Sequence, residues 1–131
     1  MVSSASFVFF ESRSPAVSLA HAGDHLRDAG LQVVDHGDSL EVSDGQGGPA
    51  FAVELLAPKH AGALAYRLRV PHRRAVSLRI GIADIDDALD EINTLIEVQS
   101  ALQLLASDAW LFNEWNRTLV DSSGTAVRIG N

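Results

Sequence analysis

Cysteine is absent from the 131 residues. That removes disulfides, thiolate nucleophiles and cysteine-based zinc sites, and it fits a reducing, cytoplasmic setting. Lysine occurs once, at Lys59, so Schiff-base chemistry has a single candidate and no supporting context. No run approaches the ~18 consecutive apolar residues of a membrane span. The early apolar run "FVFF" has no basic lead and is too short for a secretory signal. Glycine-rich phosphate loops are missing too, since "GQGG" runs into Pro49 and an extended segment, where a phosphate loop needs a helix N-terminus. No G-x-S-x-G elbow presents a nucleophilic serine. These absences point away from an enzyme and toward a chain that needs no cofactor.

What is present describes one α+β domain over residues 1–131. Hydrophobic residues make up 47% and charged residues 21%, a globular balance. "SFVFFES" reads as a buried strand. Ser14 and Pro15 suit the N-cap and first turn of a helix. Leu19, Ala22, Leu26 and Ala29 form its apolar side, and Gly30 suits the residue just past its end. "DHGD", residues 35–38, has the composition of a tight turn between two strands. "SDGQGG" is a second turn and "PAFAVELL" a third strand. "LAYRLRV" and "AVSLRIGI" alternate apolar and polar residues across "PHRR", the pattern of a hairpin with one wet face.

A long helix is predicted over "DIDDALDEINTLIEVQSALQLLA", capped by Asp84, with Ile85, Leu89, Ile92 and Ile96 as its inward stripe. Gln99 and Gln103 interrupt that stripe. Apolar positions move to Ala101, Leu104, Leu105 and onward to Leu111, Phe112 and Trp115, about 150° around the helix. Either the helix breaks near "ASDA", or its second half meets a different surface, such as a second copy in a homodimer. "RTLVDSSGTAVRI" reads as strand, turn and strand. The expected architecture is an antiparallel or mixed meandering sheet of about five to seven strands, with one N-terminal helix and one long C-terminal helix packed on it.

Charge is segregated. The net charge is −7, yet residues 67–82 hold five arginines and no acid. On the hairpin reading Arg67, Arg69 and Arg79 share the polar face, and Arg73 and Arg74 occupy the turn. Such an array pairs with the acidic face of the following helix (Asp86, Asp87, Asp90), presents bidentate donors to an acidic partner protein, or binds a nucleic-acid backbone. An acidic chain without nucleic-acid motifs disfavours the last. Trp110 and Trp115 add aromatic anchors of the kind that dominate interfaces.

His21 and His25, four apart with Asp24 between them, have the spacing of a metal pair and its third ligand. That makes a metal-dependent or small-molecule enzyme the alternative reading, although a solvated helix face accounts for the same residues. The leading expectation is a non-catalytic, cytoplasmic protein-binding domain. Small acidic bacterial immunity, antitoxin and chaperone-like proteins share its size, its charge and its lack of catalytic motifs.

Overall fold

A computed structural model of the chain describes residues 4–11, 18–45, 50–70, 75–82, 88–105, 109–114, 117–121 and 123–128. They form an α+β fold with one eight-stranded sheet and three helices. In chain order these are β1 (Ser4–Glu11), α1 (Leu19–Asp28), β2 (Gln32–Asp35), β3 (Ser39–Ser43), β4 (Phe51–Leu55), α2 (Pro58–Arg67), β5 (Ala75–Ile82), α3 (Ala88–Gln103), β6 (Trp110–Asn113), β7 (Thr118–Val120) and β8 (Ala126–Arg128). The spatial order is β2-β3-β4-β5-β1-β6-β7-β8. Every pairing is antiparallel.

β1 is the central strand, which explains its unbroken apolar run. A strand covered on both faces needs apolar residues at every position. Val8 and Phe10 join one core with α1 and α3. Ala5, Phe7 and Phe9 join a second core, on the other face, with residues of α2 and the turn after it. The helices therefore cover both faces of the sheet.

α1 starts later than the sequence pattern suggested. Its N-cap is Ser18, whose hydroxyl accepts from the His21 amide at 3.2 Å. Ser14 and Pro15 lie outside the described residues. At its other end Gly30 takes φ 90°. Gly30 N–H bonds Arg27 C=O, and Leu31 N–H bonds Leu26 C=O, the paired closure that a left-handed residue permits. The β2–β3 turn follows turn chemistry as expected, with Asp35 Oδ1 accepting from the Gly37 amide at 2.8 Å.

The main departure concerns residues 58–70. The alternation of Tyr66, Leu68 and Val70 suggested a strand and a hairpin with residues 75–82. The chain instead forms α2, with Pro58 in its first turn. Ala61, Ala65 and Leu68 are its buried stripe, while Tyr66 is 88% exposed. Three alternating residues are a weak strand signal. The run from Pro58 to Tyr66 has no β-branched residue and three alanines, which favours a helix.

α2 ends in an unusual way. Arg69 sits at φ 59°, the left-handed region where glycine is normally found. Arg69 N–H bonds Tyr66 C=O and Val70 N–H bonds Ala65 C=O, the same closure that Gly30 gives α1. Val70 and Ala65 then meet in the second core.

α3 also packs differently from its predicted stripe. Leu95, Val98, Ala101, Leu102 and Leu105 face the first core, whereas Ile96 and Leu104 are exposed. Ile85 and Asp84 lie outside the described residues. The helix ends before "ASDA", and Trp110–Asn113 is a strand. Strand alternation sends Leu111 to the first core and Phe112 to the second. Gln99 is buried, and its amide donates to Ser6 Oγ and Asn113 Oδ1, both at 2.8 Å. Ser6 Oγ donates to Asn113 Oδ1 at 3.0 Å. This closed polar triad ties α3 to β1 and β6.

The β7–β8 turn is organised by Asp121. Its Oδ1 accepts from the Ser123 hydroxyl at 2.6 Å and from the Ser123 and Thr125 amides at 2.9 Å. These bonds, the Ser123 hydroxyl first, hold its carboxyl below the ordinary aspartate value.

Candidate functional site, a cationic groove beside α2

α2 lies across β5 and β1, and its flank and the β1–β6 surface enclose a groove of about 900 Å³. Phe7 and Phe112 form the floor, with ring centroids 6.5 Å apart. Leu56, Leu64 and Leu68 line the wall. The rim carries His60, Tyr66 and Arg67 from α2, with Glu114 and Arg117 from the β6–β7 side. Arg117 places its guanidinium carbon 5.9 Å from the Phe112 ring centroid, a cation–π distance. Its backbone is left-handed at φ 53°.

The groove combines an apolar aromatic floor with a rim that carries two arginines, a histidine, a tyrosine and a glutamate. The floor supplies area burial and the guanidinium groups supply bidentate donors.

The structure disperses the arginine cluster that the sequence suggested. Arg67 is on the groove rim, Arg69 is in the turn that ends α2, and Arg79 is on β5. No hairpin joins them. Arg73 and Arg74 lie outside the described residues, as does Trp115. Arg67, Arg69 and Arg79 make no ion pair among the described residues. α3 packs on the sheet face opposite Arg79 and α2, so the sheet separates those arginines from it. Asp86 and Asp87 are outside the described residues.

Trp110 is half-buried against the second core. Ala101 and Leu105 of the predicted self-association stripe are consumed by the chain's own first core, leaving Leu104 exposed.

His21, Asp24 and His25 project from the outer side of α1. The two imidazoles are 6.0 Å apart between centroids. Asp24 pairs with Arg27 at 3.6 Å. Among the described residues no three potential ligands converge on one point, and these three do not line the groove.

Tyr66, His60, Phe7 and Arg117 went unmarked in the sequence reading. The available signal was Pro58. A helix started there places His60, Ala63, Tyr66 and Arg67 along one flank. No protein-family model, curated protein or solved structure matches the chain.

Proposed function

We propose that this chain is a non-catalytic protein-binding domain whose α2 side receives an acidic surface of a partner. The carrying observation is the groove itself. An acidic chain of net charge −7 sets Arg67, His60 and Arg117 around a phenylalanine floor, with Tyr66 standing 88% exposed beside them. Exposed tyrosine and arginine next to an apolar depression are the residue types that anchor interfaces. Arg67, with no ion pair among the described residues, offers its full fork to a carboxylate. The cysteine-free composition suits a reducing bacterial cytoplasm, where small acidic immunity, antitoxin or chaperone-like proteins act by such contacts.

The test is affinity capture from source cells with the wild-type chain and with Arg67→Ala and Tyr66→Ala, each checked for folding by circular dichroism. One dominant protein is expected with the wild type, and its affinity should fall roughly tenfold or more in each variant. Equal capture by all three would show that the groove is not the binding surface.

A further inference from the structure

The segments that build the two halves of the sheet face carrying α2 are opposite in charge, and the halves differ in cover. Residues 32–55, which hold β2, β3 and β4, contain five acids and neither lysine nor arginine. Residues 56–82, which hold α2 and β5, contain six bases and no acid. Strand register fixes which side chains share the face. Val34 opposes Glu41, Glu41 opposes Ala52, Ala52 opposes Gly81, and Gly81 opposes Ala5. Ala5 belongs to the core beneath α2, so Val34, Glu41 and Ala52 point to α2's side of the sheet. All three are exposed. Glu54 shares that face as the cross-strand neighbour of Arg79. No described helix covers this half. Glu41 lies 3.6 Å from His36 on the neighbouring turn, but among the described residues Lys59, Arg67, Arg69 and Arg79 form no ion pair with Glu41 or Glu54, so the cations of the α2 half are not spent on the acids of the open half inside one chain.

We propose that the acidic surface received by α2 is that of a second copy of this chain, an inference that rests on the binding role given to α2 above. The outward stripe of α2 carries Lys59, Ala63, Tyr66 and Arg67 at helical spacing. The open sheet half offers Glu41 and Glu54 for the cations, and Val34 and Ala52 as apolar ground for Tyr66. A two-fold arrangement lays each α2 on the other copy's β2–β4 surface and repeats the contact twice, as an isologous interface requires. Both halves of the face are then covered.

The experiment is sedimentation equilibrium on the full chain at about 0.15 M salt, where the Debye length of about 8 Å screens the repulsion between two net-negative copies but not contacting pairs. The wild type should reach twice the single-chain mass. Lys59→Glu with Arg67→Glu in one variant, and Glu41→Lys with Glu54→Lys in another, should each weaken association at least tenfold. An equimolar mixture of the two should recover it, because both halves of the mixed interface are again complementary. Recovery also shows that both variants fold. Tyr66→Ala should weaken self-association without any change of charge. A wild type that stays single up to roughly millimolar concentration, or a dimer untouched by either reversal, overturns the inference. If the wild type is single while another protein is captured through Arg67, the self-pairing fails and the binding reading stands. If it pairs with itself but captures nothing else, the second copy is its partner.

Discussion

Arg69 offers the sharpest measurement of how α2 is held. A non-glycine residue in the left-handed region costs about 1–2 kcal/mol, because Cβ crowds the following carbonyl. Glycine removes that cost but brings an unfolded-state entropy penalty of about 0.5–1 kcal/mol. The Arg69 side chain is exposed and has no polar partner among the described residues, so its loss should cost little. Arg69→Gly is therefore expected to stabilise the fold by about 0.5–1 kcal/mol, which for a domain of this size raises Tm by about 2–4 °C. Arg69→Ala keeps the strain and removes the charge, and should stay within about 0.5 kcal/mol of wild type. Thermal melts and urea titrations of the two variants side by side decide it. If Arg69→Gly is no more stable than Arg69→Ala, the left-handed turn stores no strain, and the account of how α2 ends is wrong.

Two further outcomes follow from buried or cross-linked polar groups. Gln99→Leu keeps the volume of the side chain but removes both its donors, leaving Ser6 and Asn113 only each other. It should cost roughly 1–3 kcal/mol in urea unfolding, and an unchanged midpoint would mean that the triad does not tie α3 to the sheet. The Asp121 carboxyl is held below its ordinary value by the Ser123 hydroxyl and the turn amides. Its contribution is therefore complete at neutral pH and fades as pH falls through about 4 and below. Asp121→Asn should flatten that part of the stability–pH profile, and a profile identical to wild type would remove the role of the turn.

Much of the fold was legible because local chemistry and tertiary packing agree. The central β1, the Asp35 turn, the Gly30 closure and the final strand pair were all readable from composition and spacing. Residues 64–70 were misread because helix and strand patterns overlap there. Leu64, Leu68 and Ala65 satisfy a helical stripe as well as Tyr66, Leu68 and Val70 satisfy alternation, and only the Pro58 start separates them. Gln99 marked a real change in α3, but it looked like the end of an apolar face when it is a buried member of one. Its partners lie on β1 and β6, beyond the reach of any local pattern. The groove was invisible for a related reason. Phe7, Arg67 and Phe112 come from three distant parts of the chain, and no spacing rule joins them.

The central position of β1 also bears on how the chain is made. Its partners are β5 and β6, with Ser4 opposite Ile82 and Phe7 opposite Phe112. During synthesis the "FVFF" strand must wait for most of the remaining chain before either of its edges is covered. Closing such distant pairings is slow, and an apolar strand with two open edges invites pairing with other chains in the meantime. Only when β5 and β6 have been translated can the sheet close around β1, so nascent-chain holding, or fast local folding of the β2–β4 meander onto which β5 then pairs, would decide the yield of native protein.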